Sequence, residues 1–209
     1  MAAFPRWFNR KPEPASRAQL PRNWEKELEA LEDEAKRASR AFRGTPLNKA
    51  GDLCLRAGDR DRALEYYGRA IDVLLEDSQR EAARGVANKI IRVHPEAVRT
   101  LCTLTWLDLA SRHMATALLH LRDYVEAAKR AGQESITGDQ IYQMAKVTPQ
   151  DEFLGAVADS LDQMGFADRA SEVRQWAGGK GSPDVLTDPE GLAEHCLMAA
   201  VGVNTRKNR

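Results

Sequence analysis

Apolar residues recur at three- and four-residue spacing along most of this chain, and short polar turns separate the runs. From Leu47 to Pro95 the pattern predicts amphipathic helices joined by tight turns. Small residues fall where two helices must touch: Gly51 late in one helix, Gly58-Asp59 at a turn, then Ala63 and Ala70. One helix is expected over Leu47–Ala57, and Asp61-Arg62-Ala63-Leu64 starts the next. Upstream, Trp24 to Phe42 is dense in Glu, Leu, Ala and Lys and predicts a single helix. Leu28, Leu31, Ala35, Ala38 and Phe42 form its apolar stripe, and Glu25, Glu29, Glu32, Asp33, Lys36 and Arg37 lie opposite. That helix is expected to cover one face or end of the downstream helices. A coiled-coil dimer is the alternative, on a stripe of under three heptads.

The runs repeat at a nearly constant interval. The step from Ala63 to Ala117 exceeds that from Ala117 to Ala170 by a single position, and Pro95 to Pro149 equals the first of them. Ser111-Arg112-His113 and Gly165 break helices where Gly58 breaks the first. Between these marks lie Ala83, ahead of Ala117, and Thr137, ahead of Ala170, again at separations that differ by one position. A shorter and a longer step therefore alternate, as they would if the helices around Ala63–Glu76 and Ala115–Arg130 each served two successive hairpins.

Four sets of residues carry a family resemblance. The first is Leu47, Ala50, Gly51, Gly58, Ala63, Tyr67 and Ala70, and the second Ala83, Ala87, Ile90 and Pro95. Leu101, Leu104, Leu107, Ala117, Leu121 and Tyr124 follow, then Leu154, Ala158, Leu161, Gly165, Ala170 and Ala177. Over residues 44–177 this resembles the tetratricopeptide repeat family. It departs from that pattern at Thr105, Arg112 and Thr137, where small residues or glycine are usual. The resemblance implies an all-α fold, a right-handed α-solenoid of helical hairpins whose first helices line a peptide-binding concave face. Carried over by register, Asn48, Asp52, Leu55 and Arg56 would face that groove from the first hairpin. Arg99, Cys102, Trp106 and Leu109 would follow, then Glu152, Asp159 and Asp162. Trp106 has two readings. It is either a groove anchor or a core residue of a helix that Val98, Leu101, Cys102, Leu104, Leu107 and Leu109 make apolar nearly all round. Asp52, Trp106 and Asp159 stand where the family's clamp for acidic C-terminal tails needs Lys, Asn and Arg, which argues against that clamp.

The flanks differ in composition. Residues 1–22 are rich in proline and in basic side chains against one acid, and read as a mobile arm. Phe4, Trp7 and Phe8 alternate there with Arg6, Arg10 and Lys11. They either pack back on the domain or dock on a partner protein or membrane surface through residues 1–14. Residues 23–43 hold the first helix, and residues 178–209 a linker, a short helix and a basic tail. Gly178-Gly179-Lys180-Gly181-Ser182-Pro183 lacks the Ser or Thr that follows Lys in a phosphate loop, so it reads as linker. Asp188-Pro189-Glu190 starts a helix expected to run through Val201.

Composition narrows the function. The 209 residues carry 31 basic and 31 acidic side chains, which argues against a nucleic-acid binder. Cys54, Cys102 and Cys196 are odd in number and widely spaced, which fits a reducing compartment. Neither an apolar run of about 18 residues nor a secretory leader is read in the chain, so a cytoplasmic location is expected, with the cytoplasmic face of a membrane as the alternative. The Arg- and Ala-rich wording suggests a bacterial source. His94, His113, His120 and His195 have no zinc-like spacing to thiols or acids, and adjacent His195-Cys196 is poor geometry for a base and its nucleophile. No catalytic role, metal or cofactor is expected. The sequence predicts a protein-interaction adaptor or assembly subunit, with a peripheral subunit of a membrane complex as the second reading.

Overall fold

A computed structural model describes residues 23–179, 191 and 194–200 of the chain. Among these residues every regular element is helical. The α-helices are α1 (Trp24–Arg37), α2 (Gly44–Ala57), α3 (Arg60–Glu76), α4 (Arg80–Val93) and α5 (Val98–Ala110). They continue as α6 (Met114–Arg130), α7 (Glu134–Lys146), α8 (Asp151–Gln163) and α9 (Ala167–Ala177), and residues 194–200 are also helical. Each helix packs on its neighbour in sequence, and side chains also reach the next helix but one.

The turns explain the spacing. After α2, α5 and α8 the backbone enters the left-handed region at Gly58, Arg112 and Gly165, with φ of 86°, 55° and 86°. At each turn the following amide donates back across it: Asp59 to the Cys54 carbonyl, His113 to Asp108, Phe166 to Leu161. This bond caps the orphan carbonyls of a helix end and reverses the chain within a few positions. The same closure follows α3 and α6, at Ser78 and Gly132, with Gln79 donating to Leu74 and Gln133 to Ala128. After α4 and α7 the link is instead a proline segment, His94–Ala97 and Val147–Gln150, where the prolines preclude continuation of the helix. The chain is therefore punctuated in units of three helices, α2–α4 and α5–α7, with α8 and α9 opening a third. Their first helices begin at Gly44, Val98 and Asp151, at intervals equal to within one position. The helix that the hairpin pattern assigns to two hairpins is the middle helix of a unit, and α3 does pack on both α2 and α4.

The core follows the small residues. Ala63, Ala117 and Ala170, equivalent in the three units, are all fully buried. α5 is the most enclosed element, buried without interruption from Thr100 to Ala110. Close approach of α2 and α3 depends on Gly51, because a Cβ there would lie 2.5 Å from the ring of Tyr67, itself wholly buried. Gly68 on α3 has no such neighbour. The same substitution therefore has opposite signs at the two sites. Gly68→Ala should gain about 0.5–1 kcal/mol from helix propensity. Gly51→Ala should lose about 1–3 kcal/mol by overpacking. Urea unfolding of the two variants measures both, and a Gly51→Ala protein as stable as the parent would contradict this packing.

The N-terminal helix is shorter than its pattern predicts. α1 ends at Arg37, Ala38 is extended (ψ 143°), and Arg40–Phe42 forms a separate 3-10 turn. Arg40 donates to the Glu76 carbonyl and Gln79 to the Ala41 carbonyl, tying this turn to the end of α3. Leu28 and Ala35 are buried as the stripe requires, but Phe42, its last member, is 69% exposed. The stripe stops with the helix. The arm of residues 1–22, with Phe4, Trp7 and Phe8, lies outside the described residues, as do the linker from 180 to 190 and the tail from 201.

Candidate partner-binding face

Two of the groove residues expected from the sequence meet at one place. Asn48 and Asp52 lie one turn apart on α2, and Lys89 of α4 reaches over to both. Its Nζ donates to Asn48 Oδ1 at 2.9 Å and to the two Asp52 oxygens at 2.7 and 2.8 Å. The Tyr67 hydroxyl, from α3, donates to Asp52 Oδ1 at 2.7 Å, and the Lys89 ammonium sits 5.5 Å from the Tyr67 ring centroid. Burial, with the Asp52 carboxylate beside it, holds the Tyr67 hydroxyl well above the ordinary phenol range. The cluster locks the first and third helices of one unit together. Its charges face each other, so it offers a ligand a rigid, nearly neutral polar floor.

Beside it, between α1 and α2, lies an open depression of about 540 Å³ lined by Glu27, Leu31, Lys49, Asp52, Leu55 and Arg56. Arg56 and Leu55 are exposed. Asp52 thus joins the cluster to the depression, and Asn48, Asp52 and Arg56 belong to one surface region.

The third hairpin's candidates behave differently. Arg99 is exposed and turns to Asp72 of α3 at 3.3 Å. Cys102, Trp106 and Leu109 are buried, Trp106 to 1% exposure, and the Trp106 indole N–H donates to Gln140 Oε1 of α7 at 3.2 Å. Trp106 as an open groove anchor is thereby corrected: it is a core side chain of a helix enclosed on all sides. In the last unit Glu152, Asp159 and Asp162 are exposed, and Arg174 of α9 donates to both aspartates.

A buried ionic network escaped the sequence reading. Asp108, with a side chain 0% exposed, accepts from Arg84 of α4 and lies 2.6 Å from His120 Nδ1 of α6. Arg84 also donates to the Leu107 carbonyl and to Ser111 Oγ, at 2.9 and 2.8 Å. An unpartnered carboxylate is not tolerated in such a place, and here a guanidinium and an imidazole from two other helices meet it. The signal was present. Cys54 and Leu161 occupy the equivalent positions before the same turn, so a carboxylate alone in this series demands buried partners. The network joins α4, α5 and α6 across a unit boundary. It has an Asp–His contact but places Ser111 on the arginine, with no nucleophile shown on the histidine. Among the described residues no cluster of three or more His, Cys, Asp or Glu could hold a metal ion, and no helix is long and apolar enough to cross a membrane.

No protein-family model matches the chain, and no curated protein is significantly similar to it.

Proposed function

We propose that this chain is a non-catalytic adaptor or assembly subunit of the cytoplasm. In this reading it is a right-handed α-solenoid related to the tetratricopeptide repeats that holds another protein, or a multiprotein complex, on its helical surface. The observation that supports it most is the recurrence of one turn closure after α2, α5 and α8, at residues 58, 112 and 165. Units that pack only on their neighbours build an extended surface whose use is recognition, because each unit adds area without closing the fold. The region of Asn48, Asp52 and Arg56 is the contact this reading favours. It combines a rigid polar floor with the exposed Leu55 and charges of both signs around one depression. Phe4, Trp7 and Phe8, next to Arg6, Arg10 and Lys11, favour a second reading: a peripheral subunit of a membrane complex, docked through the arm.

One set of pull-downs and fractionations from native cells separates the readings. The Leu55→Asp, Arg56→Glu double variant changes two exposed side chains, so its thermal unfolding should match that of the parent. It should recover at least tenfold less of any co-purifying partner than the parent does. Equal recovery by parent and variant overturns the assigned face, and no partner with either overturns the adaptor reading. Release from membranes on deletion of residues 2–14, with partner capture unchanged, would favour the second reading.

A further inference from the structure

The two boundaries between units differ in one exchange of charge. At the first, Arg99 of α5 reaches Asp72 of α3 at 3.3 Å and ties the two helices across the surface. Counted from the start of each helix, Asp72 corresponds to Glu126 of α6, and Arg99 to Glu152 of α8. Two carboxylates cannot form that bridge. Between α6 and α8 lies an open groove of about 360 Å³, floored by Leu118, Leu121, Val125 and Ala156. Leu118 and Ala156 are half-buried there. The walls are unequal in charge. α8 holds Asp151, Glu152, Asp159 and Asp162 and no lysine or arginine. Ala156 and Asp159 line the groove, and Glu152 stands one turn before Ala156 on the same stripe. Arg122, a cation of the lining, is drawn to Asp123 beside it at 3.2 Å, and Lys129 to Glu126 at 3.5 Å. Arg174 of α9 reaches Asp159 at 3.1 Å and also contacts Asp162. Around the groove Asp123, Glu126, Glu152, Asp159 and Asp162 outnumber Arg122, Lys129 and Arg174, which leaves a negative field over an apolar floor.

We propose that this groove binds one helix of a partner protein, with an apolar stripe flanked by lysine or arginine. Its use rests on the adaptor reading, to which it adds a second contact, separate from the depression between α1 and α2. Both walls are helices whose backbone groups are spent on their own hydrogen bonds. An extended peptide would find no strand edge to pair with. A helix brings its backbone already bonded and needs only side chains to fill the floor. The basic flanks meet Glu126, Glu152 and Asp159 at the rim, where charge sets which partner docks and how fast.

The probe is a fluorescent amphipathic peptide of about 15 residues, long enough to form a helix, built from leucine, alanine and lysine. Its twin has glutamate in place of lysine. Fluorescence anisotropy with the full-length chain should give the lysine peptide an affinity at least tenfold above that of the twin. Equal affinities, or no binding of either, overturn the proposal. Glu152→Arg places a cation where Arg99 stands at the first boundary, facing Glu126. It changes an exposed side chain, so thermal unfolding should match the parent's while affinity for the lysine peptide falls at least tenfold. Retained affinity in that variant overturns the groove. Location is read with an introduced thiol, because Cys54, Cys102 and Cys196 are all buried. Saturating lysine peptide should slow maleimide labelling of Gln163→Cys, at the rim of the groove, at least fivefold. Labelling of Ala30→Cys, on the exposed side of α1, should stay unchanged. Slowing at both thiols or at neither overturns the groove. The pull-down of the Leu55→Asp, Arg56→Glu variant judges the adaptor reading by itself, so that reading can stand when the groove falls.

Discussion

Asp108→Ala should cost about 3–5 kcal/mol of unfolding free energy, because it takes the buried carboxylate from Arg84, whose side chain is only 15% exposed. His120 loses its partner in the same step. The loss should exceed that of any surface ion pair here, such as Arg169–Asp139 or Arg130–Glu96, whose exposed partners contribute at most about 1 kcal/mol each. The decisive comparison is the double change Arg84→Met, Asp108→Leu. Replacing a buried pair by apolar side chains of similar volume is often neutral, so the double variant should recover most of what the single one loses. Urea unfolding of the parent, of Arg84→Met and Asp108→Leu singly, and of the double variant measures the coupling directly. Additive losses would mean that Arg84 and Asp108 do not act as a pair.

Alkaline pH should unfold the chain from pH 9 upward. Burial pushes the thiols of Cys102 and Cys196 from 9.0 up to about 12. Burial raises the hydroxyls of Tyr124 and Tyr67 above the free value of 10.0, with the Asp52 carboxylate adding to the effect at Tyr67. All four are raised, so the neutral form is the one the fold prefers. Their contribution is whole below the unfolded values and is lost as pH climbs toward the folded ones. Between about pH 9 and 12 each thiol should remove about 1.4 kcal/mol of stability per pH unit, with the tyrosines joining above about 10. The urea midpoint should therefore be flat from pH 7 to 8.5 and fall steeply beyond it. Cys102→Ala should make the fall shallower in its first unit. A midpoint unchanged between pH 8.5 and 10.5 would show that these groups ionise within the folded protein.

Much of the helix layout was legible because its punctuation is local. Gly58, Gly165, Pro95 and Pro149 act on their own few residues, through left-handed φ or a missing N–H, and their spacing is visible without knowing what packs where. Arg112 obeys the same rule in disguise: it takes φ 55° at a glycine's place, and only its distance from Gly58, the same as that from Pro95 to Pro149, betrays it. Phe42 misled because periodicity records a pattern and not where the helix stops; the stop comes from the distant end of α3, through Arg40 and Gln79. Asn48 and Asp52 were placed by register, but Lys89, which turns them into a cluster, lies far along the chain on α4. Trp106 was ambiguous for a physical reason. On a helix apolar all round, nothing in the local pattern distinguishes a side facing a groove from a side facing another helix.

The constant distance between equivalent turns also bears on how such a chain can change its length. Residues 98–150 run from the first residue of α5 to the last before α8. Excising them would set Ala97 directly before Asp151, leaving every remaining turn at its proper place along the array. A fold organised in this way has a natural quantum of growth and loss, one block of three helices with its links. Insertions of any other size must be absorbed in the two proline links, where the chain is not held by a capped reversal.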